Sequence, residues 1–254
     1  MKYNLSYILF FFTISLYTQT VPEKYSVSVI YSMTLSFDEA KKHDCLLNFN
    51  ENYALFEWKQ VLEKSNKTLN ASIENDINKG KVSIDITDKS SRFIFSNTKT
   101  KLWYEKKPKL DNQFILKEKM ENIFWKISDS TKTIGKIDCK LATTNFRGRL
   151  YFAWYSLNIP SYWGPWKLHG LPGLIVEVYD STKEIYIIAT EIKKTDTLIN
   201  RSILDNYSIL TKDEWEKEKS EFSNNLKNKL FRNLPRSAKI TNYKVTEKKD
   251  FEIN

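Results

Sequence analysis

A period-two alternation of apolar and polar side chains is the feature that most restricts how this chain can fold. From Tyr25 to Leu35 every second residue is apolar or aromatic, and mostly Ser and Thr lie between. Because successive side chains of a strand point to opposite faces, this predicts a long, half-buried strand. The pattern recurs at 82–87, 123–127, 137–143, 150–154, 174–178 and 186–192, with shorter apolar pieces near 46–49, 93–95, 102–104 and 114–116.

Short polar segments link these strands, with no helical crossovers between them. Segments 88–91, 128–131 and 180–183 have the composition of hairpin turns. Strands joined in this way predict a mainly β (β-rich α+β) protein, with a large curved antiparallel sheet or an incomplete barrel. Segment 50–79 stays ambiguous, because Trp58, Val61 and Leu62 suggest a short helix whereas the remainder suggests a loop.

One C-terminal amphipathic helix is expected beside the sheet. Thr211 and Glu214 form a capping box. The apolar positions that follow lie on one helical face: Trp215, Phe222, Leu226 and Leu230. Pro235 is expected to end the helix, which we expect to cover part of the concave face of the sheet.

The start of the chain resembles a targeting segment. Lys2 is the only charge in residues 1–20, and Leu5 to Tyr17 is an apolar run. This predicts a secretory signal peptide at 1–20, with an uncleaved membrane anchor as the alternative, followed by a single domain at 21–254. Cys45 and Cys139 would then meet an oxidising compartment, where they either form a disulfide or remain small buried hydrophobes.

Composition excludes several functional classes. The formal charge is +9, but only six of the 40 basic residues are Arg and the Lys residues are scattered, so nucleic-acid binding is not expected. With two His and two Cys in the whole chain, all-histidine metal centres and four-thiolate zinc sites are excluded, and no cofactor is expected. No G-x-S-x-G, H-E-x-x-H or C-x-x-C motif occurs, so no catalytic residue is assigned.

Glycine, proline and tryptophan cluster in one part of the chain. Five of the six Gly fall between residues 135 and 173. Segment 159–173 contains Pro160, Pro165 and Pro172, which remove ladder donors, so it is predicted to be a rigid aromatic loop rather than a strand. The loop is either a binding lip or a structural plug that closes one end of the sheet. A lip would leave Trp163 and Trp166 exposed.

The end of this segment resembles a known family. Gly170, Leu171, Pro172, Gly173, Leu174 and Ile175 spell the motif for which the GLPGLI family is named, and the similarity extends over about residues 120–193. The resemblance implies a secreted or envelope protein of a Gram-negative bacterium with a largely unassigned role. It also implies, by analogy alone, a fold similar to curved-sheet lipoprotein carriers.

Candidate binding residues surround this motif. Aromatic side chains supply large contact area at low entropic cost, which nominates Trp154, Tyr162, Trp163 and Trp166. His169 could act as a base, but the sequence offers no clear nucleophile for it. Arg147 and Arg149 flank Gly148 and could clamp a carboxylate or phosphate, or could form a solvated hairpin tip.

The sequence therefore favours a non-enzymatic protein of the periplasm or outer envelope. In the leading hypothesis, the concave face of the sheet binds an apolar or amphiphilic ligand such as a lipid. In the alternative, the aromatic loop or a sheet edge docks to an outer-membrane receptor or transporter. A hydrolase that uses His169 is the third hypothesis.

Overall fold

The computed structural model describes residues 23–37, 40–58, 92–107 and 114–232. The expected signal peptide, the predicted strand at 82–87, the turn at 88–91 and the stop at Pro235 lie outside these residues. Within them, strands dominate and a single α-helix is present. The expectation of a mainly β fold with one amphipathic helix is confirmed.

Twelve strands in the described part of the chain form one sheet. Their bounds are β1 Val27–Leu35, β2 Lys41–Phe49, β3 Tyr53–Trp58, β4 Arg92–Asn97, β5 Leu102–Lys107, β6 Phe114–Lys119, β7 Lys126–Ile134, β8 Ile137–Phe146, β9 Arg149–Ser156, β10 Leu174–Asp180, β11 Ile185–Lys194 and β12 Ser208–Leu210. A 3-10 helix spans Arg201–Leu204, and helix α1 spans Lys212–Arg232. The strand order is β12-β6-β5-β4-β3-β2-β1-β11-β10-β9-β8-β7. The pairing of β12 with β6 is parallel, and the other pairings are antiparallel.

The connection between β6 and β7 requires the sheet to curl. β6 is second and β7 is twelfth in the strand order, which makes ten spacings and about 48 Å across a flat sheet. Residues 120–125 alone join these two strands, and such a link reaches at most about 25 Å. The two ends of the sheet are therefore drawn towards each other. Rings on β5 and β8 meet across the gap, with the centroids of Trp103 and Phe146 6.4 Å apart.

The curled sheet has an inner and an outer face, each with its own apolar cluster. The larger cluster lies on the inner face and includes Tyr31, Phe56, Trp103 and Tyr155. The smaller one lies on the outer face of β3–β6, and residues 199–207 pack against it. Its buried members are Tyr25, Tyr53, Leu55, Phe93, Phe95 and Ile115.

One predicted turn is wrong, and one ambiguous segment contains a strand. Residues 128–131 do not form a turn but lie within β7, where the register shifts between Ile127 and Thr131; the hairpin turn is at Gly135 instead. In segment 50–79, which the sequence left ambiguous, residues 53–58 form strand β3, and Val61 and Leu62 lie outside the described residues. The predicted turns around Arg147 and at 180–183 are confirmed.

In β9 and β11, the residues that face the interior are not the ones that the alternation predicted. Tyr151, Ala153 and Tyr155 are the buried inner residues of β9, whereas Phe152 and Trp154 are only half-buried. In β11, Ile185 and Ile187 face inward. The difference arises because both faces of these strands carry apolar side chains, so alternation alone does not identify the buried face.

Helix α1 begins with the predicted capping box. The Thr211 N–H donates to Glu214 Oε2 at 2.8 Å, and this bond lowers the pKa of Glu214. The ring of Trp215 contacts Phe114 on the inner side of β6. The helix thus meets the sheet at its β6–β12 edge, and most of its described side chains are exposed. No described helix is long and apolar enough to span a membrane.

Candidate functional site

Residues 159–173, here called the interior loop, lie inside the curled sheet. The Leu174 N–H donates to the carbonyl oxygen of Ile159 at 2.9 Å, which closes the base of the loop. Trp163 is 3% and Trp166 is 4% exposed. The exposure expected of a binding lip is therefore not found at these two residues, and their burial favours the plug interpretation.

Glycines permit the tight course of this loop. A β-carbon at Gly173 would lie 2.0 Å from the carbonyl oxygen of Ser156, so no other residue fits there without a shift of the backbone. Gly170 has a φ of +90°, a conformation that favours glycine. The path of the loop thus explains why glycine is needed at both Gly170 and Gly173.

Trp166 occupies a strained position. Its φ is +57°, which is costly for a bulky side chain, at about 1–3 kcal/mol. Its ring contacts Phe146 and Tyr151, with centroids 5.6 and 6.2 Å away. Burial of the indole against these rings offsets the strain and fixes the loop in place.

A cluster of charged side chains is enclosed beside Trp166. The Nζ of Lys167 is fully buried and lies 2.7 Å from Glu105 Oε2 and 2.6 Å from Glu118 Oε2. Arg147 pairs with the same Glu118 and with Glu121, at 3.4 and 2.6 Å. Both cations also lie over the ring of Trp103. Buried ions need such partners, because the interior solvates charge poorly.

His169 lies buried beside this charged cluster. Its Nδ1 lies 2.9 Å from the carbonyl oxygen of Lys167, so Nδ1 carries the proton. Burial lowers the pKa of His169, although hydrogen bonds to the backbone of Lys167 and Glu121 partly oppose this. The ring packs edge-on against Trp103, with centroids 5.5 Å apart. These contacts give the imidazole a structural role in the loop.

The structure does not bring Arg147 and Arg149 together. Arg149 is buried in a second charged cluster, where its Nη1 lies 2.7 Å from Asp180 Oδ2 and 2.8 Å from Glu184 Oε2. Burial lowers the pKa of Arg149, but the two carboxylates outweigh it and the pKa is raised. Each guanidinium thus clamps carboxylates of its own chain, so neither is a solvated hairpin tip.

Cys45 and Cys139 do not form the disulfide that the sequence offered as one alternative. Both are buried free thiols. Cys45 pairs in register with Tyr31 and shares its inner face, whereas Cys139 pairs with Lys132 on the outer face. The sheet therefore separates the two sulfurs. Burial raises the pKa of Cys139 to about 11 and raises that of Cys45 as well, so neither is a ready nucleophile.

The exposed aromatic side chains lie where the interior loop meets solvent. Tyr162 is 45% exposed, and its ring packs on His169 with centroids 5.1 Å apart. Trp125 Nε1 donates to the carbonyl oxygen of His169 at 2.8 Å, and the adjacent Phe124 is 86% exposed. We call Tyr162, Phe124 and Trp125 the aromatic rim. Among the predicted binding residues, Tyr162 has the most accessible aromatic ring.

Trp154 lies apart from this rim, on the outer face. The Nζ of Lys132 lies 5.2 Å from its ring centroid and 2.5 Å from Glu177 Oε2. The carboxylate of Glu177 is almost fully buried. Trp154 thus packs against an ion pair whose carboxylate is buried and whose lysine is 40% exposed.

Sequence analysis missed the carboxylates and the ring that enclose Lys167. A signal for them exists, since Glu105 alternates in phase with Trp103, and Glu118 with Phe114 and Leu116. A charged residue in phase with an apolar face indicates a buried, paired charge. Within the described ranges, no group of three or more His, Cys, Asp or Glu side chains could hold a metal ion.

Comparisons with known proteins bear on the fold alone. No family model and no curated protein matches the chain. Two solved structures of PNGF-II, in space groups P21 and C2, are similar, each with a TM-score of 0.50. Their identities are 14% and 16%, and the similarity covers 76% and 77% of this chain. It covers 32% of PNGF-II in both cases, so this chain spans about a third of that protein's length.

Proposed function

We propose that this protein is a secreted or periplasmic, non-enzymatic envelope protein of a Gram-negative bacterium, similar to the GLPGLI family, which binds an apolar or amphiphilic ligand at its aromatic rim. The observation that carries the proposal is the exposure of Tyr162 and Phe124 beside the enclosed interior loop. Exposed apolar surface costs about 25 cal/mol per Å², so covering it with a ligand is favourable.

The place proposed for the ligand is the rim and not the middle of the inner face. The interior loop occupies that face, and Trp163 Nε1 is tied to the carbonyl oxygen of Asn50 at 2.7 Å. Tyr162, in contrast, presents its ring to solvent from a fixed backbone, because the Gly170 N–H donates to the Tyr162 carbonyl at 2.8 Å. A rigid aromatic ring loses little entropy on binding.

Docking to an outer-membrane protein is the second candidate, and the same rim supports it. Phe124 lies on the connection between β6 and β7 and is 86% exposed. A side chain so far out of the fold suits insertion into a partner's surface pocket. The two functions therefore predict different molecules in contact with the same residues.

Photo-crosslinking in a Gram-negative envelope separates the candidates. The full-length chain carries the crosslinker in place of Tyr162, and a control carries it in place of Ile209, which is equally exposed at 44% but lies on β12. A lipid adduct at 162 alone supports ligand binding, and a protein adduct at 162 alone supports docking. Equal adducts at both positions, or none at 162, would overturn both.

Secretion is tested separately by intact mass. The protein recovered from the periplasm is expected to lack residues up to about Gln19–Val21, in accordance with a cleaved signal peptide. Full-length protein retained in the inner membrane would instead favour the uncleaved anchor.

A further inference from the structure

The curled sheet is open, yet its two ends are joined by side chains. β7 and β12 are the edge strands, and no ladder in the described residues pairs them. We propose that Arg147, Glu118 and Lys167 form a charge seam that holds the sheet curled around the interior loop. Neutralising this seam opens the inner face to solvent while the strand ladders remain intact.

Glu118 is the centre of the seam, because it joins three parts of the chain. It lies on β6, second in the strand order, while Arg147 follows β8, which is eleventh. Its Oε2 lies 3.4 Å from Arg147 Nη1 and 2.6 Å from Lys167 Nζ. One carboxylate thus ties β6 to the far end of the sheet and to the interior loop.

The surroundings make these pairs strong. The side chains of Arg147, Glu118 and Lys167 are at most 10% exposed, so water screens them little. Glu105 and Glu121 supply the remaining charges, each at under 3 Å from Lys167 or Arg147. With Glu118 neutral, Lys167 keeps Glu105 and Arg147 keeps Glu121. The connection from β6 to Arg147 and to the interior loop through one carboxylate is lost, and this weakens the hold between the ends of the sheet.

The seam acts between the ends and not within the ladders. Between neighbouring strands the backbone hydrogen bonds are independent of Glu118. In the described structure, other contacts between the ends include Trp103 with Phe146 and with the Arg147 guanidinium, Arg147 with Glu121, and the 120–125 connection. Loss of the seam is therefore expected to permit opening at lower cost than unfolding.

The two cysteines distinguish opening from unfolding. Cys45 is buried on the inner face and Cys139 on the outer face. Opening exposes Cys45 and leaves Cys139 covered, whereas global unfolding exposes both. Alkylation by iodoacetamide at pH 8, followed at each cysteine by mass spectrometry, gives the labelling rate of both thiols in one sample.

The test compares the full chain with Glu118→Gln, and with Glu184→Gln as a control that breaks a charge pair outside the seam. We expect Glu118→Gln to raise the Cys45 labelling rate at least 10-fold, with Cys139 changed less than 2-fold and the far-ultraviolet circular dichroism retained. The control should leave the ratio of the two rates unchanged. Equal acceleration at both thiols, or none at Cys45, would overturn the seam.

A measurement on the unmodified protein covers the case in which Glu118→Gln does not fold. Low urea concentrations favour openings that expose little surface over complete unfolding. Cys45 is then expected to label at a lower urea concentration than Cys139. Superimposable urea profiles for the two thiols would show that the sheet opens only by unfolding, and the proposal would fail.

Discussion

Gly173 lies against the carbonyl of Ser156 so closely that a β-carbon would come within 2.0 Å of the oxygen. Gly173→Ala is therefore expected to lower the free energy of unfolding by more than about 3 kcal/mol, since backbone must shift on both sides. Gly135→Ala is the matched control: φ is +61° there, but nothing lies within 4 Å, so a loss of about 1 kcal/mol is expected. Urea midpoints measure both. Equal losses would contradict the close approach.

Because His169 is buried, the free energy of unfolding is expected to fall on acidification. Burial lowers its pKa below the ordinary value of 6.5. The imidazole of the unfolded chain therefore binds a proton near pH 6.5, whereas that of the folded chain binds one only at lower pH. The stability that this difference supplies is complete above pH 6.5 and is lost as the pH falls from 6.5 towards the lower pKa of the folded state. The loss is at most about 1.4 kcal/mol per pH unit.

The measurement is the free energy of unfolding at pH 7.5 and 5.5, in the native protein and in His169→Phe, which keeps a ring against Trp103 but cannot titrate. The native protein should lose more stability over this interval than the variant. His43 is present in both proteins and therefore does not contribute to the difference between them. Identical pH dependence would mean that His169 keeps its ordinary pKa when folded.

Both cysteines are expected to be reduced in the folded protein. Because Cys45 and Cys139 face opposite sides of the sheet, the denatured intact mass should retain both thiol hydrogens and gain two carbamidomethyl groups with iodoacetamide. In the folded protein, labelling should be slow at both, since burial raises both thiol pKa values. A mass lower by two hydrogens would contradict the strand register.

Arg149 should be far more important for stability than a surface cation. Arg149→Met leaves Asp180 buried without its main cationic partner, which is expected to cost about 3–5 kcal/mol. Lys193→Ala removes an ion pair with Glu191 whose members are 55% and 52% exposed, and should change stability by less than about 0.5 kcal/mol. Thermal or urea unfolding measures both, and a mild effect of Arg149→Met would indicate that water reaches Asp180.

Alternation predicted most of the sheet because one face of each strand must be buried. It was reliable for β1, where Ser and Thr mark the polar side, and it failed for β9, where Tyr151 and Trp154 compete for the interior. The buried side of such a strand depends on what covers it. In this fold the cover is the interior loop, whose place follows from the curl.

The candidate site was predicted in part. The Gly and Pro cluster located the interior loop, because special torsions and missing donors are local properties. The burial of Lys167 between Glu105 and Glu118 was not predicted, since these residues come from the loop, β5 and β6. Their meeting depends on the curl, which the strand order and the short 120–125 connection impose together.

The central position of β1 has a consequence for how the molecule forms. β1 to β6 and β7 to β11 each run as neighbours in sequence, so their pairings are largely local. The two groups join where Leu35 pairs with Ile185, a closure of about 150 residues that carries a high entropic cost. Folding should therefore be slow for a domain of this size. We expect the two meanders to form first and the pairing of β1 with β11 to be the late, rate-limiting step.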